Sequence, residues 1–284
     1  MWLQTAQVLG TSNRSAQTHQ LGDRPASTKE KEIRMKEIVY HYTSLEVLQK
    51  IINSKELRFT KMNSLSDKSE YKYGIQLLKS KIVEYENNNH ISNRLNVELL
   101  DKFSFPNDLY SISFTDNGDS LAFWNSYYVD KFTPVAIGFM SNEVFSGEFI
   151  INQCKYGDPY PLMIKESYEW FRQIFDKKNI IQISKNTEYK QITFQTAHIK
   201  QKAFEIEKEW RAVSFGPENA LFGEFDRNGK KIKYFDQQFN IGSLREIIIG
   251  PSQQQELNYQ KIVLLISNIG LNCRVKKSTI PLEL

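Results

Sequence analysis

Two short stretches of this chain hold the residue types from which chemistry on a sugar could be assembled: His41-Tyr42-Thr43, and Glu207-Lys208-Glu209-Trp210-Arg211. Read as a strand over residues 204–214, the late stretch places Glu205, Glu207, Glu209 and Arg211 on one face. Ile206, Trp210 and Ala212 then fall on the other face, interrupted by Lys208. Carboxylates at alternate strand positions stand roughly 6.5 to 7 Å apart. They repel one another unless a cation, a proton or a ligand hydroxyl lies between them. Two readings stay open. One is a solvated sheet face on which Arg211 neutralises Glu209; the other is a working pair, one carboxylate stabilising an oxocarbenium-like centre while the other orients or deprotonates an acceptor.

His41 sits where the strand-like run Ile38-Val39-Tyr40 meets a helix opened by a Thr43 and Glu46 capping box. Such junctions can bring side chains to a ligand, although an isolated histidine can equally be structural. His19, His90 and His198 stand at no metal-ligand spacing from it, so no metal is expected. Trp124 and Tyr127, three residues apart, share one side of a helical turn. They are either a core pair or an aromatic pocket for a flat ring. Ser113, just ahead of them on a strand, has a hydroxyl to offer a ligand.

The elements that must position these residues follow from apolar periodicity. Leu45, Leu48, Ile51 and Ile52 line one face of a helix ending near Lys55, and residues 57–60 form a second strand. A polar loop with Asn63, Asp67 and Glu70 leads to a helix over about 70–86, and Ile91, Leu95, Leu99 and Phe103 suggest another. Strands are expected at 110–114, 135–139, 204–214 and 246–249, and helices near 165–177, 192–203 and 252–268. Asn228-Gly229 between two alternating runs marks a hairpin. Early helices and a strand-rich remainder point to α+β. No repeat and no phosphate-binding glycine loop is found.

An apolar fraction of 40% and 13% aromatic residues suffice for a sizeable core. No stretch nears the roughly 20 apolar residues of a membrane span. Cys154 and Cys273 lie far apart, which disfavours a disulfide framework and fits a reduced, cytoplasmic setting. The net charge of +4 is too mild to indicate nucleic acid by itself. Residues 1–34, rich in Gln, Ser and Thr, read as a disordered tail or a non-native extension, with Met35 as a natural start and 35–284 as one domain.

Taken in order, the motifs resemble a large bacterial family of unknown function, itself similar to ADP-ribosyltransferases and related to abortive-infection proteins of the AbiGi type. The resemblance rests on Tyr40-His41-Tyr42-Thr43, the loop from Asn63 to Glu70, Ser113-Phe114-Thr115, Trp124-Asn125-Ser126-Tyr127 and the stretch from Glu207 to Arg211. Ile247-Ile248-Ile249-Gly250-Pro251 and Lys277-Ser278-Thr279-Ile280-Pro281 complete it, so it covers nearly all of residues 38–281. It lacks the proline common in the loop after Lys61.

The resemblance implies a split, curved β-sandwich with flanking helices and NAD, as substrate, in its cleft. It implies that His41 bonds a ribose, that Thr43 fixes the turn around it, and that Tyr42 and Ser113 belong to the same cofactor-binding set. Tyr127, or else Trp124, would stack on nicotinamide. Glu209 would hold the nicotinamide-side ribose and Glu207 the acceptor, which is protein, nucleic acid or water. A role in phage defence or a toxin system with a neighbouring-gene partner follows from the same likeness. The alternative is a non-catalytic nucleotide or nucleic-acid binding module with a relict NAD cleft.

Overall fold

Alternating side chains over Ile38–Ser44 make β1, the first strand of the computed structural model. It passes straight into helix α1 (Leu45–Ser54), whose N-cap is Ser44, with its hydroxyl accepting from the Val47 N–H. The cap therefore lies one residue beyond the expected Thr43. Thr43 is still paired with Val135 in the ladder, so its backbone stays extended and its side chain is buried. Lys55 ends α1 in the left-handed region, its N–H returning to the Ile51 carbonyl. Leu48, Ile51 and Ile52 form the buried face, as their spacing predicts.

The structure describes residues 37–62, 69–98, 109–127, 133–146, 149, 151–158, 168, 172, 187–227 and 229–281. Ile38–Leu284 form one compact unit. After α1 come β2 (Glu56–Lys61), α2 (Ser69–Asn88), β3 (Tyr110–Thr115), α3 (Leu121–Tyr127), β4 (Pro134–Met140), β5 (Ile151–Gln153) and β6 (Lys155–Tyr156). Then follow α4 (Thr187–Ala197), β7 (Ile199–Lys200), a 3-10 turn (Lys202–Glu207), β8 (Glu209–Ser214), β9 (Phe222–Arg227) and β10 (Lys230–Gln238). The last elements are β11 (Leu244–Ile249), α5 (Gln255–Asn268) and β12 (Arg274–Lys277).

The class is α+β, with few helices around a large, mostly antiparallel sheet in the order β12-β11-β4-β1-β3-β2-β10-β9. Strand β8 adds to β3, and β5 to β8. One face of the sheet carries the main core, where Val39, Ile137, Phe139, Ile247 and Ile249 meet Leu48 and Ile51 of α1 and Ile262 and Ile266 of α5. On the other face two separate clusters form. Tyr42, Ala136 and Ile248 pack with Trp124 of α3. Val213 and Ile199 pack with Ile75, Leu78 and Ile82 of α2.

Three expected elements differ. Residues 91–98 are turns rather than helix, tied back by the Leu95 N–H to the buried Glu86 carboxylate; Leu99 and Phe103 lie outside the described residues. The helix expected over 192–203 stops at Ala197, because Ile199–Lys200 pair in parallel with Lys155–Tyr156. The strand expected over 204–214 begins only at Glu209. Residues before it coil into the 3-10 turn, and Lys208 is left-handed at φ 43°. The hairpin is as expected, with Gly229 at φ 75° supplying the positive angle; Asn228 lies outside the described residues. The helix expected at 165–177 also lies outside them, apart from Tyr168 and Arg172, and so does most of the loop from Asn63.

Candidate functional site

Strand β3 organises the site because its two edges are treated differently. Along one edge β8 pairs with it throughout, from Tyr110 opposite Ser214 to Thr115 opposite Glu209. The other edge is shared: β2 takes Tyr110 and Ser111, while β1 meets only Thr115, through Tyr40. Residues 112–114 therefore have no strand partner on that edge, and the sheet forks there. The His41 ring reaches into the fork, with Nδ1 3.0 Å from the Ser113 carbonyl oxygen and the Phe114 ring edge-on at 5.8 Å.

A carbonyl can only accept, so Nδ1 carries the proton and Nε2 of the neutral ring is a bare acceptor. Burial lowers the basicity of His41, against the smaller opposing effect of the Ser113 carbonyl. A half-buried neutral imidazole offering one lone pair suits a ligand hydroxyl.

Residues opposite one another in a ladder project to the same side. Ser113 thus shares a face with Arg211, and Thr115 with Glu209. Ser111 and Thr115 are buried, yet Ser113 between them is exposed, at the stretch of β3 that lacks a strand partner on one edge.

Glu209 borders this position and is only 5% exposed. Arg211 grips it with two donors, Nε to Oε1 at 2.8 Å and Nη2 to Oε2 at 2.9 Å. Lys200 Nζ approaches Oε2 at 2.6 Å, and Ser113 adds a hydrogen bond. Burial alone would raise the Glu209 carboxyl, but Arg211 and Lys200 together hold it down at about 2.

Glu207 comes from the 3-10 turn. Its half-exposed carboxylate reaches Lys200 Nζ at 2.5 Å, and its carbonyl accepts from Thr115 Oγ1 at 2.8 Å. The Tyr156 hydroxyl accepts the Glu209 N–H at 2.7 Å; burial pushes that phenol up to about 12. Behind Arg211, His198 places Nδ1 2.6 Å from the Phe194 carbonyl and Nε2 3.0 Å from the Arg211 carbonyl. Burial lowers its basicity, while the two carbonyls favour the doubly protonated ring.

His41, Ser113, Glu207 and Glu209 are thus brought to one region through β3. Tyr42 and Trp124 are packed in the core. Their rings meet at 4.7 Å and Trp124 is 0% exposed, because its indole N–H is spent on Asp119 and α3 covers β1. The Tyr42 hydroxyl accepts from the Ser120 N–H and donates to the Asn117 carbonyl. Thr43 is a buried strand residue and fixes no turn. Tyr127 closes α3, and its side chain lies outside the described residues.

The residue that sequence reasoning missed is Lys200. The expected helix over 192–203 hid its place beside the carboxylates. The available signal was a lysine directly after the otherwise apolar or neutral run Ala197-His198-Ile199.

Compared with known proteins, the chain matches no family model and no curated protein sequence. Among the described residues no helix is long and apolar enough to cross a membrane. No group of three or more His, Cys, Asp or Glu residues poised to hold a metal is found among them either.

Proposed function

We propose that the forked sheet is an ADP-ribosyltransferase-like split, curved β-sandwich with flanking helices, and that it cleaves NAD at the nicotinamide bond, passing ADP-ribose to an acceptor or to water. One observation carries this reading. Exposed Ser113 stands between His41, which bonds its carbonyl, and Glu209, which takes its hydroxyl. Neutral His41 then accepts from a ribose hydroxyl at Nε2. Glu209 stabilises the cation that develops as the glycosidic C–N bond breaks and its electron pair leaves with nicotinamide. The acceptor oxygen or nitrogen bonds to the anomeric carbon and yields its proton to Glu207. The acceptor class is a protein side chain, a nucleic acid or water, and the setting is cytoplasmic phage defence or a toxin system with a neighbouring-gene partner.

Incubation with isotopically labelled NAD tests this directly. Wild-type protein should release nicotinamide and move label to a macromolecule or to free ADP-ribose. Glu209→Gln should abolish release while far-UV circular dichroism is retained; an active Glu209→Gln protein sinks the reading.

A second reading is favoured by the hold that Arg211 and Lys200 have on Glu209, which occupies the oxygens a ribose would need. On it, the cleft binds a nucleotide or nucleic-acid end without turnover. It expects a saturable thermal shift with NAD, lost in His41→Ala, and no product by mass spectrometry.

A further inference from the structure

We propose that Lys200 is a positioning residue that clamps Glu207 beside Glu209, so that Glu207 is held ready to receive the acceptor's proton. For the role of Glu207 this rests on the reading above. Lys200 is 2% exposed, and a buried ammonium needs close anionic partners. Glu209 already has a two-donor partner in Arg211, so it cannot by itself balance both cations. Glu207 supplies the second negative charge, and Lys200 Nζ bonds both carboxylates, at 2.5 and 2.6 Å.

The lysine is itself fixed. β7 pairs with β6, where Tyr156 stands opposite Lys200, and the Gly157 N–H donates to the Lys200 carbonyl at 3.1 Å. The Phe204 ring lies 5.2 Å from the ammonium. Glu207 from the 3-10 turn and Glu209 from β8 bond it directly, while Tyr156 of β6 and Arg211 of β8 bond Glu209, and His198, ahead of β7, bonds the Arg211 carbonyl. From α2, Gly74, Ile75 and Leu78 give β7 an apolar backing. The half-exposed carboxylate of Glu207 is therefore aimed by a rigid partner, although its own turn begins and ends outside any strand.

A double-mutant cycle between Lys200 and Glu207 in the full-length protein tests this. Lys200→Met should lower kcat for ADP-ribose formation from NAD by about tenfold or more, with KM for NAD changed less than about twofold. Lys200→Arg should recover most of that loss. In the Glu207→Gln background, Lys200→Met should lower kcat by clearly less than it does in wild type, the residual fall reflecting its bond to Glu209. In the double variant one cation and one carboxylate leave together, so the cluster stays neutral and the cycle is readable even if Lys200→Met alone folds poorly.

A rise in KM that accompanies the fall in kcat, no rescue by Arg, or an undiminished loss in the Glu207→Gln background overturns the proposal. The same cycle measured by melting temperature needs no NAD, and non-additive shifts are expected there. Absence of nicotinamide release from wild-type protein defeats the transferase reading and this role in turnover. Additive melting shifts defeat the clamp alone.

Discussion

At the scale of single residues, three side chains that look alike in sequence have quite different surroundings. Glu205 is exposed and pairs with Lys202, Glu207 is half-exposed on Lys200, and Glu209 is buried between Lys200 and Arg211. The alternation that suggested one acidic face fails because residues 202–207 coil into a 3-10 turn, Lys208 is left-handed and the strand starts only at Glu209. Lys200 is the cation that adjacent carboxylates require. His41 yields a pH prediction. Its basicity is lowered, so the ring is neutral and Nε2 is an acceptor at neutral pH. As pH falls from the ordinary histidine range through the lowered value, protonation removes that lone pair. KM for NAD should therefore be flat through the ordinary histidine range and rise only as pH falls through the lowered value. In His41→Ala the acid dependence should vanish and NAD binding weaken by about 1 kcal/mol. An unchanged acid limb in that variant would remove His41 from the site.

At the scale of elements, β1 delivers His41 to the fork of β3 and is held there through Tyr40 and Tyr42 on either side of it. Tyr40, next to His41, donates to the buried Glu246 carboxylate of β11 at 2.5 Å. Gly138 of β4 lies between them in the ladder, and a Cβ there would sit 2.9 Å from the Tyr40 ring and 3.0 Å from Glu246 Cγ. Arg274 and Lys276 of β12 close on the same carboxylate. Asp119 likewise takes Trp124, the Ser278 hydroxyl and the Thr279 N–H, clasping the segment after β12 to the turn before α3. Glu246→Ala should release β12 and cost about 1 to 2 kcal/mol, a modest figure because Arg274 and Lys276 regain solvent. Amide hydrogen exchange should quicken at residues 274–277 and not in β3 or β8. Uniform exchange across the sheet would contradict this anchoring.

At the scale of the whole molecule, apolar clusters on both faces of one sheet leave the polar centre of β3 between them. That arrangement places several ionisable groups where acid must weaken the fold. His41 and His198 have lowered values, and Glu209 is lowered from 4.5 to about 2. In each case the unfolded chain binds the proton more readily, so the stabilisation is present above the unfolded value and lost on acidification. Melting temperature should fall below about pH 6.5 as the histidines contribute, and fall further between 4.5 and about 2 as Glu209 does. Glu209→Gln should flatten the second decline. A wild-type melting temperature that holds steady down to pH 3 would contradict this linkage.

Much of this was legible in the linear order of residues because it depends on local rules. Apolar spacing located α1, α2 and α5, and alternating or continuous apolar runs located β1, β3, β4, β9, β10 and β11. The Asn-Gly step marked the hairpin, and mixed periodicities indicated α+β. The candidate residues His41, Ser113, Glu207 and Glu209 were visible as chemical types at suggestive positions. Their grouping was not, since it depends on β1 and β2 parting along one edge of β3 while β8 holds the other. The same long-range pairing ended a helix at Ala197, delivered Lys200 to two carboxylates and buried Trp124 against Tyr42. Periodicity reports which side chains share a face of one segment. Which segments meet, and which charges are then taken out of water together, is decided only when the sheet assembles.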